Sequence, residues 1–299
     1  VAVIVVEALL RVGKRALKGR LQRLMAALAF VALFALGLPF PLIVLAAGLA
    51  GAVLLAGKAP TSFLPPAAGN GHLVPVLATG LGLWAAPLLG LWAMGQTFLL
   101  TLGLFFSKLA LVTFGGAYAV LAYMTQTVVQ DQGWLDTAQM IDALGLAETT
   151  PGPLILVTEF VAFLAGQAQG GTGLALAATA LTLWVTFLPC FLWIFAFAPY
   201  IERIAARPRL QGALAGITAA VVGVIASLAL WFALHVLFAG IDSLTLGPVN
   251  LPLPQILSLD PRAAALMGLS FYLLLMRHWP LLSVLGLSAL LGVLSLWVA

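Results

Sequence analysis

The chain has 299 residues, of which 63% are hydrophobic and only 7% are charged, with a formal net charge of +4. With a mean hydropathy of +1.17, this composition excludes an ordinary soluble globular protein, in which about half of the residues are apolar and about a quarter are charged. The sequence therefore predicts an integral membrane protein. Because backbone in hydrocarbon must satisfy its own hydrogen bonds, and because the apolar runs lack the alternation of a membrane barrel, the spanning elements are predicted to be helices.

The chain opens on VAVIVVEALL, which has neither an initiating methionine nor the positively charged start of a signal peptide. We expect it to be the tail of a spanning helix that belongs to a longer chain. Residues 11–23 then carry six Lys or Arg and no acid. The positive-inside rule places such a loop in the cytoplasm, and its position between apolar segments favours a topology signal over a nucleic-acid site.

An apolar stretch at residues 24–57 is broken at Gly-Leu-Pro-Phe-Pro. Each arm has about 14 residues, or about 21 Å, which is short of a hydrocarbon core of about 30 Å. Two short packed helices are therefore predicted. Residues 58–76, rich in Pro, Gly and Asn, read as a linker.

The middle of the chain predicts two breaks in helices at membrane depth. Residues 77–95 form a plausible span, and the apolar stretch 97–124 is interrupted by Phe-Gly-Gly, with Gly115 and Gly116. Asp136, with Gln139 three residues later, predicts a capping box at the start of an amphipathic helix over 137–148.

The second break is Thr-Thr-Pro-Gly-Pro. Thr150 is positioned to cap a helix whose first residue is Pro151 and which runs to about Ala165, shorter than a span. Gly152 and Pro153 complete the break.

Each break would present the N-terminus of a helix, whose free N–H groups and positive dipole end favour an anion. Irregular backbone at membrane depth is tolerated where it is buried in protein or lines a wet cavity, and in transporters it marks substrate sites. The residues therefore predict a site for a small oxyanion. The alternative for either break is a kink or a close-packing point.

Charged residues within the apolar segments point to the same region. Lys108 could offset the charge of an entering anion, and Glu148 or Glu159 could carry a coupling proton. A structural pair of Lys108 with Glu159 is the alternative. Tyr118 and Thr149 are polar side chains near the breaks.

The remainder predicts two long spans, 172–200 and 212–239, that flank a second basic loop, whereas the proline-rich residues 241–262 are predicted to be non-helical and external. The closing segment, with a break at Pro280, resembles the early unit with its break at Pro41. The basic loop lies before one unit and a nearly neutral loop before the other. This predicts an inverted-topology repeat, an architecture of transporters with discontinuous helices.

The segments FFSKLALVTFGGAYAVLAY, GWLDTAQMIDALGLAETTPGPLILVTEFVAFLAG, APYIERIAA and LQGALAGITAAVVGVIASLALWFALHVLF resemble the second half of chromate ion transporters of the CHR family. GLPFPLIVLAAGLAG resembles the end of that family's first half. The resemblance implies an incomplete first half at 1–57, the linker at 58–76 and the second half at 77–299.

The resemblance also implies a multi-pass bacterial inner-membrane protein that moves chromate, usually outward for resistance. The family motif falls on Gly115 and Gly116 and on the four residues 150–153. Two departures stand out. The first half's own Gly-Gly-Pro and Pro-Gly-Pro elements are missing, and Glu148 and Glu159 replace the uncharged polar residues expected there.

The sequence gives little support for an enzyme and leaves one alternative substrate open. The sequence lacks His-Glu-x-x-His, paired His and Asp ligands, and Gly-x-Ser-x-Gly, so no enzyme, catalytic residue, metal site or cofactor is predicted. Sulfate or another tetrahedral oxyanion is the alternative substrate, because dipole ends recognise charge and geometry. Besides the oxyanion, the predicted partner is the lipid bilayer, and no nucleic-acid partner is predicted. Coupling to protons and the formation of a homodimer are left open.

Overall fold

The computed structural model describes residues 2–57, 73–112, 117–149, 154–200, 207–247 and 249–297. Helices account for most of these residues, and two short strands are the only strands among them. The prediction of an all-α membrane protein is therefore confirmed.

The helices are α1 (Ala2–Ala16), α2 (Arg20–Phe34), α3 (Phe40–Leu54), α4 (Leu73–Ala93), α5 (Thr97–Val112), α6 (Ala117–Thr125), α7 (Thr137–Thr149), α8 (Val157–Phe197), α9 (Pro208–Leu237), α10 (Pro261–Phe271) and α11 (Leu281–Trp297). Single π-helical turns, Gln126–Asp131 and Tyr272–Met276, extend α6 and α10, and a short 3-10 turn, Leu154–Leu156, precedes α8. The two strands are β1 (Ile241–Leu246) and β2 (Val249–Pro254).

Three helical stretches of the described residues are long and apolar enough to cross a membrane: Leu73–Ala93, Val157–Tyr200 and Pro208–Leu237. The first and third match the predicted spans 77–95 and 212–239 within a few residues. The second folds back on itself, as shown below.

The early broken unit has the predicted form. α2 and α3 each have 15 residues, which makes each about 22 Å long. The predicted basic loop at 11–23 is wrong in its extent, because α1 continues to Ala16 and α2 begins at Arg20. Lys and Arg are good helix formers, and Lys14 and Arg15 are favourable in the last turn of α1. The positive charge therefore lies on the end of α1, on the start of α2 and on Lys18 between them.

The helix that leads to the second break begins at a capping box, as predicted. The backbone N–H of Gln139 donates to Asp136 Oδ1 at 2.7 Å, and the N–H of Asp136 donates to Gln139 Oε1 at 3.0 Å. Leu135 and Met140, at the two positions of a hydrophobic staple across this start, are both buried. Because the two orphan donors are satisfied reciprocally, the start of α7 is fixed by local sequence alone.

Residues 241–262 are largely non-helical, as predicted, and form a β-hairpin. β1 pairs antiparallel with β2, from Ile241 opposite Pro254 to Leu246 opposite Val249. The N–H of Asn250 donates to the carbonyl of Ala35 at 2.8 Å and ties the hairpin to the end of α2. Prolines are tolerated in this ribbon because both of its strands are edge strands.

α8 is a hairpin of two helical arms. Gly170 and Gly171 depart from helical geometry, and Gly171 has φ 77° and ψ −171°, a conformation that is open essentially only to glycine. A Cβ built on Gly166 would lie 2.6 Å from Ala175 Cα. Residues nine positions apart in a continuous helix are about 13 Å apart along its axis. The chain therefore reverses at the two glycines, and its arms run side by side.

The two arms differ in length. The first arm, residues 157–169, is about 20 Å long, and the second, residues 172–197, is about 39 Å long. Only the second can cross a core of about 30 Å. This agrees with the sequence expectation of a short helix followed by a span over 172–200.

The second arm packs against α4 and supplies a hydrogen-bond donor that α4 lacks. Pro87 lies inside α4 and has no N–H, so the carbonyl of Leu83 lacks its normal helical donor. The indole Nε1 of Trp184 donates to that carbonyl at 3.0 Å. The polar atom that proline leaves free is thus satisfied from the neighbouring helix, as hydrocarbon surroundings require.

The chain divides into two compact units, one of Val1–Leu45, Leu144–Gly152 and Thr218–Ala299 and the other of Ala46–Ala143 and Pro153–Ile217. In the first, Val3 and Ile4 of α1 share a core with residues of α11 and the π turn after α10. In the second, α4, α5 and α8 pack on one another. The predicted inverted repeat and the predicted halves around the linker stay predictions. Residues 58–72 of that linker lie outside the described part, and the prediction is wrong for residues 73–76, which form the first turn of α4.

We expect Gly166→Ala to destabilise the protein by about 1–3 kcal/mol, because its methyl group would meet backbone at Ala175 that cannot move aside. Gly173→Ala is the matched control, since a Cβ there meets nothing within 4 Å. Thermal unfolding of the purified protein in detergent compares the two. Equal stability of both variants would show that the arms are not in close contact.

Candidate functional site

The candidate site is built around the start of the first arm of α8. The 3-10 turn Leu154–Leu156 leads into the helix, and Leu156 at the N-cap position makes no side-chain capping hydrogen bond. By contrast, Asp136 caps α7, and Asp260 accepts from the N–H groups of Arg262 and Ala263 at the start of α10. Among the described residues, therefore, no side chain caps the first turn of α8, and the 3-10 turn leads directly into it.

The hairpin sets the depth of this helix start. Because Gly166 lies against Ala175 and both arms rise about 1.5 Å per residue, Val157 is level with about Trp184 of the second arm. The second arm continues for 13 residues beyond Trp184, to Phe197. The uncapped start of α8 thus lies beside the middle of a membrane-crossing helix and not at its end.

Glu159 is in the first turn of α8 and is partly buried. Its Oε2 lies 3.1 Å from Thr158 Oγ1, and its Oε1 is buried without a hydrogen-bond partner. Thr158 is fully buried, and its Oγ1 also lies 2.7 Å from the carbonyl of Ile155. A carboxyl group therefore stands next to the uncapped helix start with one oxygen unsatisfied.

Lys108 lies on α5, which packs against α8, and its side chain is exposed. Its Nζ is 5.8 Å from the ring centroid of the buried Tyr123, within the range of a cation–π contact. Lys108 forms no ion pair with Glu159, and among the described residues the salt bridge found is Arg11 with Glu7. The alternative of a structural Lys108–Glu159 pair is therefore wrong for this arrangement.

Several predicted site residues cannot be placed. Gly115, Gly116 and the four residues of the second break, Thr150, Pro151, Gly152 and Pro153, lie outside the described residues. Tyr118 is in α6, and Glu148 and Thr149 end α7, but their side chains are outside the described part. The structure thus locates the element that follows the second break, and the roles of these residues stay predictions.

Sequence reasoning missed two hydroxyl groups on the second arm. Thr182 and Thr186 are buried to 0% and 2% exposure, and the Oγ1 atom of each has no hydrogen-bond partner. Their spacing could have indicated a polar face, since two threonines four residues apart lie on the same side of a helix that is otherwise apolar. The spacing alone is weak evidence, because threonine in a membrane helix commonly bonds to its own backbone.

Comparison with known proteins gives a family match. The chromate transporter family model matches residues 100–293. A chromate transport protein of Pseudomonas aeruginosa is 32% identical over 252 residues, covering 83% of this chain and 56% of that protein. A probable chromate transport protein of Synechococcus elongatus is 34% identical over 147 residues, covering 49% of this chain and 35% of that protein.

A chromate transport protein of Cupriavidus metallidurans is 34% identical over 124 residues, covering 42% of this chain and 29% of that protein. The matched regions thus span between 29% and 56% of the length of these three relatives. No solved structure matches the chain.

We expect Lys108→Met and Glu159→Gln to change stability additively, with a coupling energy within about 0.5 kcal/mol, because no ion pair joins the two side chains. The free energies of unfolding of the wild type, the two single variants and the double variant give this coupling energy. A double variant that regains expression lost in Glu159→Gln would instead show that the lysine and the acid stabilise each other.

Proposed function

Because this chain belongs to the chromate transporter family, we propose that it takes part in moving chromate across the bacterial inner membrane, outward, so that it confers chromate resistance. The family match over residues 100–293 carries this proposal. The three relatives described above, which are named as chromate transport proteins or a probable one, agree with it.

The oxyanion is proposed to bind at the two helix breaks, Phe-Gly-Gly and Thr-Thr-Pro-Gly-Pro. The uncapped start of α8, level with the middle of the second arm, supports this site. An anion there would accept hydrogen bonds from free backbone N–H groups and meet the positive end of the helix dipole. Such a site needs no side-chain cation in direct contact.

Lys108 is proposed to balance the charge of the anion from α5. Its side chain is exposed on a helix that packs against α8, and among the described residues it pairs with no carboxylate. An unpaired cation among membrane helices is costly unless it faces a polar cavity or a counter-charge. A transported anion supplies that counter-charge.

Glu159 is proposed to carry the coupling proton, with Glu148 as the second candidate. The hydroxyl group of Thr158 has one hydrogen and lies within donating distance of two acceptors, the carbonyl of Ile155 at 2.7 Å and Glu159 Oε2 at 3.1 Å. The other carboxyl oxygen, Glu159 Oε1, is buried and has no hydrogen-bond partner among the described residues. A buried carboxylate oxygen without a donor is costly when ionised, and this supports Glu159 as the group that takes up a proton.

Sulfate is the second candidate substrate, since it shares the charge and tetrahedral shape of chromate. Backbone N–H groups at a helix start recognise these two properties more than the central atom. The family match favours chromate.

The deciding experiment measures accumulation of radiolabelled chromate and radiolabelled sulfate in cells that express the protein, each with the other as competitor. We expect expression to lower chromate accumulation and to raise growth tolerance to chromate. Cells carrying Gly152→Val serve as the control, because a β-branched side chain should block the conformation of the break. If expression changes the accumulation of sulfate and leaves the accumulation of chromate unchanged, sulfate is the substrate and the proposal of chromate transport is wrong.

We expect Glu159→Gln to flatten the pH dependence of chromate transport. An ionised Glu159 would repel the anion, so protonation and anion binding favour each other, and transport falls as pH rises, by up to about tenfold per unit for one proton. Among α4 and α5, which pack on α8, the ionisable side chain is Lys108, so few other groups would titrate nearby.

The control for this prediction is Asp142→Asn, which removes an exposed carboxylate from α7. Flux into proteoliposomes over a pH series provides the measurement. A Glu159→Gln variant whose pH profile follows the wild type would remove Glu159 as the proton carrier and leave Glu148 to be tested.

A further inference from the structure

The β-hairpin of β1 and β2 is held at the ends of three apolar helices. Its base joins the end of α9 at Leu237 to the start of α10 at Pro261. Near its tip, the N–H of Asn250 donates to the carbonyl of Ala35, the residue at which α2 ends. A hairpin that is fixed to helix ends both at its base and near its tip does not project freely into water. Because the helices of a membrane protein end near the bilayer surface, the hairpin is placed along that surface.

The two faces of the hairpin differ in polarity. Leu244 lies directly opposite Leu251, and Thr245 lies directly opposite Asn250. Since successive residues of a strand point to opposite faces, the two leucines share one face, and the threonine and the asparagine share the other. Leu253 extends the apolar face, because it is two residues beyond Leu251. The hairpin is therefore amphipathic, as expected of an element with one face against apolar surroundings and the other in water.

One carboxylate on the apolar face limits how deeply that face can lie. Asp242 is opposite Leu253, at the base of the hairpin, and is exposed. Both of its carboxylate oxygens lie 3.1 Å from Nε2 of Gln255, which donates to them. An exposed carboxylate is costly in the hydrocarbon core and is tolerated among lipid headgroups. The apolar face is therefore placed at the boundary between headgroups and acyl chains.

The described part of the chain leaves much of this apolar surface uncovered. Leu244 and Leu253 are 41% and 46% exposed. In the 3-10 turn that follows β2, Ile256 is 81% exposed and Leu257 is fully exposed. Large apolar side chains that stand in water are unfavourable, so these positions require apolar surroundings.

The turn that carries Ile256 and Leu257 has a defined structure. The N–H of Ala239 donates to the carbonyl of Ser258 at 3.1 Å, and the N–H of Gly240 donates to Ser258 Oγ at 3.0 Å. These bonds fix the turn to the end of α9. The two apolar side chains are therefore presented at the same end of the helices as the hairpin.

The composition of the segment indicates what covers this surface. Residues 241–260 contain no aromatic residue, no Lys and no Arg. Interfaces between proteins are enriched in aromatic residues and Arg, so the segment lacks the side chains that dominate such binding. It also lacks the basic residues that hold anionic lipid headgroups. Leucine and isoleucine on an amphipathic element at the bilayer surface suit the acyl chains of a neutral lipid.

We propose that the hairpin and the turn after it form a lipid-contact surface, with Leu244, Leu253, Ile256 and Leu257 inserted at the boundary between headgroups and acyl chains. The opposite face of the hairpin, with Thr245, stays in water. This surface anchors the ends of α2, α9 and α10 at the bilayer. It goes beyond the proposed transport and does not depend on which ion is moved.

The experiment attaches an environment-sensitive fluorophore to single cysteines in a Cys190→Ala background, using the purified full chain in phosphatidylcholine vesicles. Leu244→Cys and Thr245→Cys form a matched pair, because the two residues are adjacent in β1, are both exposed and point to opposite faces. Leu257→Cys reports on the turn. Leu89→Cys, at an exposed position of the membrane-crossing α4, is the reference for lipid contact. Quenching is measured with doxyl-labelled lipid and with iodide on both sides of the membrane, so the orientation of the protein does not affect the result.

We expect the doxyl lipid to quench the labels at Leu244 and Leu257 nearly as strongly as the label at Leu89. It should quench them at least about twofold more strongly than the label at Thr245, because the apolar face lies at the headgroup and acyl boundary. Iodide, which stays in water, should quench the Thr245 label most.

Three results would overturn the inference. Equal quenching of the Leu244 and Thr245 labels by each quencher would show that both faces meet the same surroundings. A Leu257 label that iodide quenches as strongly as the Thr245 label would place the turn in water. Labels at Leu244 and Leu257 that are shielded from both quenchers would show that protein covers the surface, in a second copy or another partner. None of these results bears on chromate transport, which is tested separately.

Discussion

The close contact of Gly166 with the backbone of Ala175 fixes the geometry on which the rest of the site depends. It requires a glycine on one arm, a small residue on the other and a reversal at Gly170 and Gly171. Once the arms are in register, the start of the first arm has a defined depth beside the second. Any longer side chain at position 166 would push the arms apart and change the level of every group on the first arm relative to the second.

The second theme of the structure is how polar groups are satisfied without water. At Pro87 the freed carbonyl of Leu83 receives the indole N–H of Trp184, and at α7 and α10 aspartates cap the first turn. The start of α8 and the hydroxyl groups of Thr182 and Thr186 stand apart from this pattern. In hydrocarbon surroundings a polar group that no partner satisfies is costly.

The charges near this place are separated and not paired. Lys108 on α5 is near the ring of Tyr123, and Glu159 keeps a buried oxygen without a partner. A buried ion pair would have locked both groups in one charge state. Separation leaves neither group with a fixed counter-charge, as the roles proposed for them require.

The sequence by itself determined that the protein lies in a membrane, that its fold is helical and where most of its helices begin and end. These properties follow from hydropathy, proline breaks and capping boxes, which act within a few residues. The capping of α7 by Asp136 and Gln139 and the short arms of α2 and α3 are of this kind. It also identified Lys108 and Glu159 as special, since ionisable side chains are conspicuous in an apolar chain.

Only the tertiary structure decided that Lys108 and Glu159 are not partners, and that Thr182 and Thr186 are buried without a hydrogen-bond partner among the described residues. Both depend on how helices distant in sequence, or the two arms of α8, are placed side by side. The physical reason is that a local pattern specifies which face of a helix is polar. The depth at which that face meets another helix is set by the contact between Gly166 and Ala175.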